Sequence, residues 1–234
     1  DNKPTGWSMN VLRTTKAPDP HRERARRMLR EHPEIKALFG PSRLTAPLTV
    51  ALVSAHVALA LLVARGPFWV ALGVAWIAGA FLSHALYAVL HEHAHGLAAP
   101  TRAGGHLVAL LANVPLVVPM AESYGHYHRM HHRHQGDAER DPDLPAPRER
   151  WLAERGVLGK LAWHVSFPLW QLLRTASLPR KPPITAWSLA NVVVQLVAML
   201  ALGWLAGPMA LVYLLASLYF TMALHPIGGR LLQE

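Results

Sequence analysis

"FWVALGVAWIAGAFLSHALYAVLHEHAH", residues 68–95, joins two things rarely found side by side. Its first part, Phe68–Leu90, contains no Lys, Arg, Asp or Glu. A helix rising about 1.5 Å per residue needs roughly 20 such residues to cross a hydrocarbon core of about 30 Å. No Pro or Gly separates that run from "HEHAH" (91–95). The helix should therefore continue and carry His91 and His95 out of the membrane, one turn apart on one face.

Four more runs share the character of the first: Ala46–Ala64, Ala103–Met120, Ala186–Ala206 and Pro208–Leu224. The chain of 234 residues is 52% hydrophobic and only 16% charged, against about a quarter charged in soluble domains. Its mean hydropathy is +0.18. These features predict an all-α integral membrane protein with four transmembrane helices in two hairpins. The first apolar run starts only near residue 46 behind a charged segment, which is not the layout of a signal peptide. Cysteine is absent, so disulfides and thiolate metal sites are excluded.

The net charge of +9 invites a nucleic-acid reading, but its placement opposes one. Of 23 Lys and Arg, 10 lie in residues 1–43 and 11 in residues 101–184. Basic residues gathered on alternate sides of hairpins follow the positive-inside pattern. The N-terminal segment and the central loop are then cytoplasmic. Residues 18–38, "PDPHRERARRMLREHPEIKAL", read as a helix broken at Pro33, lying on anionic headgroups or simply solvated. Ala103–Met120 is interrupted by Gly104, Gly105, Pro115 and Pro119. A full crossing there would put the two histidine clusters on opposite sides, so it reads as a re-entrant or interfacial helix. Residues 151–178, with Trp151, Trp163, Phe167 and Trp170 among Arg and Lys, predict an amphipathic helix pair on the cytoplasmic leaflet. The expected organisation is one membrane domain over 1–234. Within it, 1–45 is a cytoplasmic segment and 46–98 the first hairpin with its histidines. Residues 99–184 hold the re-entrant segment, second cluster and interfacial helices, and 185–225 the second hairpin.

The second cluster is "YHRMHH" (127–132), flanked by His126 and His134. On a helix, His128, His131 and His132 spread over slightly more than one turn. That is too wide for one small cation and suits two metals gripped from either edge. Neutral imidazoles without thiolate suit Fe, Zn, Cu or Ni, and residue type does not choose among them. Two such clusters on apolar hairpins suggest a binuclear iron centre at the cytoplasmic mouth of a lipid-accommodating bundle, for oxygen activation. His56 and His84, lone histidines within apolar runs, read as hydrogen-bonded helix contacts, although His84 lies near the stripe of His91. Three competing readings remain. His91-Glu92-His93-Ala94-His95 also matches the H-E-x-x-H zinc-protease pattern, which leaves His128, His131 and His132 unexplained. A metal transporter needs coordinating groups near the midplane, where Asn191 and Gln195 are almost all that is offered. An exposed histidine-rich loop would bind metals loosely or not at all.

These residues together resemble the membrane fatty acid desaturase superfamily, and within it the sphingolipid Δ4-desaturases (dihydroceramide desaturases). The resemblance runs from about residue 18 to the end. "HPEIKALFGPSR" (32–43) is similar to that subfamily's N-terminal signature, and "HEHAH" to its first histidine box. "YHRMHHRHQGDAERDPDLP" is similar to its second box with an Asp-x-Asp tail, and "LHPIGGRLLQE" (224–234) to the His-Pro segment after the last span. The resemblance implies His91, His95, His128, His131 and His132 as catalytic iron ligands, and His225 as a further metal ligand. Arg230 stands where the family often has another histidine. The family's third box, a second H-x-x-H-H, would follow, and a sequence running from Asp1 to Glu234 reads as trimmed at both ends. The resemblance further implies two non-haem irons, O2, and a cytochrome b5-like or ferredoxin-like electron donor. The implied substrate is a dihydroceramide or related N-acyl sphingoid base. A fatty-acyl desaturase, a C4-hydroxylase or a desaturase of a small vinyl-ether amino acid would use the same ligands.

Overall fold

The computed structural model describes residues 20–137 and 139–227. Positions 1–19, Ala138, Arg230 and the rest of 228–234 lie outside the described residues. The chain forms two units, residues 1–40 and 41–234. In the first, α1 (Pro20–Glu31) stops before Pro33, which opens a 3-10 turn (Pro33–Leu38) with no buried residue. The break predicted at Pro33 is therefore present.

All described elements of the second unit are helical. α2 (Thr45–Val63) leads through a turn at Gly66 and Pro67 into α3 (Phe68–Val74), which runs on through a π-helical turn (Ala75–Gly79) into α4 (Ala80–Ala94). Together α3 and α4 make one 27-residue rod, Phe68–Ala94. Its end is set by Gly96, at φ 74°. Gly96 N donates to His93 O at 2.9 Å and Leu97 N to Glu92 O at 2.8 Å. This is the Schellman closure, for which glycine is the favoured residue. The sequence thus holds "HEHA" in the last helical turn, with His95 as its cap.

α5 (Arg102–Asn113) is capped by Thr101, whose Oγ1 accepts from Gly104 N at 3.1 Å. It passes through a 3-10 turn at Val114–Leu116 and a break at 117–120 into α6 (Ala121–His134). The two arms bend by 107°, as the prolines at 115 and 119 demand. Val117 takes φ 63° in this break. Irregular backbone among apolar helices needs partners for its polar groups, and three buried amides supply them. Asn113 Oδ1 accepts from Met120 N and Ala121 N, and its Nδ2 donates to Val118 O and Gln195 Oε1. Asn191 Oδ1 accepts from Ala121 N, and Gln195 Nε2 donates to Val114 O. Asn191 and Gln195, the groups a transporter would have needed, are occupied in stitching this bend.

After α6 come the short α7 (Pro147–Ala153) and the long α8 (Gly156–Ser177), which contains Pro168. The amphipathic pair expected over 151–178 is thus mainly one helix. Its anchor is Glu149, fully buried, which pairs with Arg174 at 2.8 Å and accepts from Trp163 Nε1 at 3.1 Å. α9 (Ala186–Ala206) begins with a Thr185–Ser188 capping box, and α10 (Pro208–Met222) returns beside it.

Among the described residues, three helices are long and apolar enough to cross a membrane, Thr45–Val63, Phe68–Ala94 and Ala186–Ala206, or four if the bent pair Arg102–Leu116 and Ala121–His134 makes one span. The fourth span expected from the sequence, Pro208–Leu224, forms a shorter apolar helix. α10 has 15 residues, about 22 Å of rise, because Pro226 disfavours helix at the residue before it and Leu224 takes φ 58°. Leu224 O instead accepts from Trp76 Nε1 at 3.3 Å. The helices pack closely where Gly79 meets α10, since a Cβ there would collide with Ser217 Oγ and Cβ. His56 is a helix contact as expected, within hydrogen-bonding distance of Tyr213 Oη (3.1 Å) and Ser83 Oγ (2.9 Å). Below the histidines, Val53, Leu86, Leu90, Ala109, Leu116 and Leu218 form one apolar floor shared by α2, α4, α5 and α10.

Candidate metal centre

The last turn of α4 presents His91 and His95 to the C-terminal half of α6, which presents His128 and His132. One nitrogen from each of these four imidazoles lies within 4.8 Å of the other three. His128 Nε2 is the hub, 3.0 Å from both His95 Nε2 and His132 Nε2. The rings of His91 and His128 approach to 4.5 Å, and those of His91 and His95 to 4.6 Å. Helical spacing explains the selection. His128 and His132 are one turn apart and share a face, whereas His131 projects from the adjacent edge.

His131 is not part of the four-imidazole group. Its ring centroid is 6.3 Å from that of His128 and 5.6 Å from that of His132. Its Nδ1 donates to Asp141 Oδ1 at 2.7 Å, which leaves Nε2 as the nitrogen that could take a metal. Asp141 is itself fixed by Gly136 N at 2.8 Å and Asp143 N at 2.9 Å. Burial would raise the Asp141 carboxyl, but the hydrogen bonds from His131, Gly136 and Asp143 outweigh it and hold it below its ordinary value. Asp141 is the residue the sequence reading passed over, although the Asp-x-Asp tail contained it. A carboxylate on the far nitrogen of a ligating histidine is the usual means of setting its tautomer and plane.

Burial, followed by the crowding of His91, His132, His95 and His131, pushes the His128 imidazole down to about 4. It is neutral at ordinary pH, the form that coordinates a cation. Tyr124 stacks on His128 with centroids 5.5 Å apart and planes 7° apart. Glu92 Oε1 lies 3.3 Å from His91 Nδ1. The carboxylate is thus within reach of the His91 ring and can orient it.

The structure does not bring His225 to this group. Its ring packs against Trp76 (4.8 Å) and Phe81 (5.0 Å), and its Nδ1 accepts from Ile227 N at 3.1 Å. Phe81 is ten residues before His91 on the same rod, about 15 Å along the axis. The expectation that His225 would share the pocket is not met, because α10 ends half-way along the rod. His126 and His134 also stay outside the group. His84 does reach it indirectly, through a cavity of about 460 Å³ that it lines together with His91.

A second cavity of about 500 Å³ lies between α4, α6, α8 and α10 and has His128 in its lining. Leu172, Leu215, Leu218, Tyr219 and Met222 give it an apolar wall. Tyr87, Tyr124, Asp143, Gln171 and Met222 line both cavities. Gln171 Nε2 reaches Asp143 Oδ1 at 3.5 Å, so this junction is polar while the channel beyond it is greasy.

The Fatty acid desaturase family model matches residues 67–232, and the Sphingolipid Delta4-desaturase (DES) model matches residues 15–44. The chain is 35% identical over 217 residues to a rice sphingolipid delta(4)-desaturase DES1-like protein, covering 92% of this chain and 65% of that one. It is 33% identical over 219 residues to the Drosophila melanogaster sphingolipid delta(4)-desaturase DES1, covering 92% and 67%. The human sphingolipid delta(4)-desaturase/C4-monooxygenase DES2 is 35% identical over 218 residues, with 92% and 67% covered. The chain thus spans about two thirds of the length of these curated relatives. No solved structure matches it. Family models over most of its length, and relatives aligned through both histidine boxes, place this chain in the fatty acid desaturase family.

Proposed function

We propose that this chain is an oxygen-dependent, di-iron lipid desaturase that places a double bond in the sphingoid chain of a dihydroceramide-like lipid. One observation carries the reading: the apolar cavity of about 500 Å³ is lined by His128, a member of the four-imidazole group. The donor set fits a transition cation, since four imidazole nitrogens within 4.8 Å need close only slightly to reach metal–nitrogen bonds of about 2.0–2.1 Å. His91, His95, His128 and His132 would hold one iron, and His131, held by Asp141, would serve the second. Iron bound there supplies the dioxygen chemistry needed to break an unactivated C–H bond. The balance is two hydrogens from adjacent methylenes, plus two electrons and two protons, reducing O2 to two waters. The electrons come from a cytochrome b5-like or ferredoxin-like protein.

The chain's own residues position the lipid. In a sphingoid base the C4–C5 bond lies directly beside the hydroxyls and amide of the headgroup. An enzyme acting there needs polar groups within a few bond lengths of the metal, whereas a mid-chain desaturase needs only grease. Asp143 and Gln171 stand at the junction of the two cavities, beside His128 and His91, where they can accept from and donate to those headgroup atoms. Tyr87, Tyr124 and Met222 close the wall around the first methylenes and exclude water. The three apolar rods would cross the bilayer, with the histidine groups and the 101–184 segment on the cytoplasmic side.

A second reading, C4-hydroxylation, draws on the human relative whose printed name includes C4-monooxygenase. The two outcomes diverge only after the first hydrogen is removed. Incubating membranes that contain the protein with dihydroceramide, acyl lipids and free sphingoid bases, then reading products by mass spectrometry, tests the assignment. A 4,5-unsaturated product from dihydroceramide supports it. Conversion of acyl lipids alone would overturn the sphingolipid assignment.

A further inference from the structure

We propose that His93, His106 and Glu122 form a second metal site, separate from the four-histidine group, which takes a divalent transition cation of the Zn2+ type. His93 lies two residues from both His91 and His95. At about 100° per residue, it points roughly 200° away from either. Its ring leaves the face that meets the second box and instead meets α5 and the first turn of α6. There His106 Nδ1 lies 2.7 Å from Glu122 Oε1, and His93 Nε2 lies 3.5 Å from the same oxygen. The two rings are 4.8 Å apart, and one ligand atom from each of the three residues lies within 4.8 Å of the others.

The surroundings are those of a held site. The side chains of His93, His106 and Glu122 are 10%, 22% and 19% exposed. Trp187 stacks flat on His106, centroids 4.6 Å apart and planes 7° apart, which fixes the ring and forms the outer wall. A Cβ on Gly105 would stand 3.5 Å from His93 Nδ1, so the backbone of α5 closes the side behind that ring.

Two imidazoles and one carboxylate are the ligand set of three-coordinate protein zinc sites, whose fourth position is left for water or another small ligand. With bonds of about 2.0–2.1 Å, neighbouring ligand atoms in a tetrahedron stand roughly 3.3 Å apart. The His93–Glu122 separation is already near that value. The His106–Glu122 contact is a hydrogen bond that must open by about half an ångström as the cation replaces its proton. A cation here joins α4, α5 and α6, and so ties together the two helices that carry the histidine boxes. This site stands or falls independently of the lipid assignment, because its readout is metal content and not turnover.

The purified full chain, stripped with chelator and reloaded with Zn2+, is separated from excess metal and its zinc equivalents counted. Co2+ in place of zinc reports the site through its visible absorption. Glu122→Gln keeps the shape of the side chain and one acceptor oxygen for His106 while removing the charge, and His106→Phe preserves the stack on Trp187. Each should bind one equivalent fewer than the unaltered chain and lose one Co2+ signal. A His91→Ala/His128→Ala double variant should keep that equivalent. Equal zinc in the unaltered chain, Glu122→Gln and His106→Phe would overturn the proposal. So would complete loss of metal in a double variant that remains helical, a result that decides the matter even if the single variants fail to fold.

Discussion

Changing Asp141 to Asn isolates one interaction on which the proposed iron centre depends. Asp141 is 7% exposed and receives three hydrogen bonds, from His131 Nδ1 at 2.7 Å, Gly136 N at 2.8 Å and Asp143 N at 2.9 Å. Asn has nearly the same shape, but its one oxygen can serve Gly136 N, which uses Oδ2, while its NH2 takes the place of Oδ1 beside Asp143 N and His131, so the turn loses one backbone hydrogen bond of about 0.5–1.5 kcal/mol. The substitution also removes the charge that makes His131 carry its proton on Nδ1. An Asn amide facing the ring donates instead, and the proton moves to Nε2, the atom meant for the metal. Loss of such an outer carboxylate typically costs about 10–100-fold in metal affinity or activity, which is about 1.4–2.7 kcal/mol. The expected result is desaturation lowered by about 10–100-fold, with reduced iron, in a protein whose circular dichroism is unchanged and whose melting falls only by what one loop hydrogen bond contributes, about 0.5–1.5 kcal/mol. The assay is iron content by mass spectrometry beside product formation in the same preparation. Full iron and turnover within about twofold of the unaltered protein, a change of under about 0.5 kcal/mol, would show that Asp141 holds only the loop.

Other outcomes follow from the same geometry. Glu92→Gln should retain measurable desaturation, reduced by no more than about 10–100-fold, since Glu92 is within reach of the His91 ring and can orient it; proteolysis that depends on Glu92 would refute this. Gly79→Ala should destabilise the bundle by about 1–3 kcal/mol because of the collision with Ser217, read as a lower melting temperature. Gln171→Leu should weaken use of dihydroceramide by roughly two- to tenfold, the worth of one hydrogen bond of about 0.5–1.5 kcal/mol, and leave kcat nearly unchanged; a lower kcat at unchanged KM would contradict the headgroup role. A cysteine placed at Gly136 should be labelled by an impermeant reagent only from the cytoplasmic side.

Much of this was legible in the sequence because apolar runs and i, i+4 histidines report directly on helix length and helix face. Phe68–Leu90 predicted the rod, and the absence of a breaker before His91 predicted that both ligands would ride on it. The breakers at Gly104, Gly105, Pro115 and Pro119 predicted a re-entrant or interfacial segment over Ala103–Met120, and the bend between α5 and α6 falls at its two prolines. What the sequence hid was long-range. Hydropathy over Pro208–Leu224 could not show that the chain would leave the helix at Met222 and insert His225 between Trp76 and Phe81. Periodicity could group His128, His131 and His132, but only packing shows that His131 turns to Asp141 while the other two turn to α4. His93, which stands between His91 and His95, was not singled out from the sequence. Its opposite face matters only once α5 brings His106 and α6 brings Glu122 alongside.

The central claim is that the four-imidazole group removes hydrogens from the carbon pair beside the sphingoid headgroup. Its most direct test is dihydroceramide deuterated at C4 and C5, supplied with O2 and an electron donor to membranes containing the unaltered protein or His128→Ala. The account predicts a product that has lost one deuterium from each carbon, that forms only with oxygen, and that is absent with His128→Ala. Product retaining all the deuterium, or full conversion by the His128→Ala protein, would contradict it.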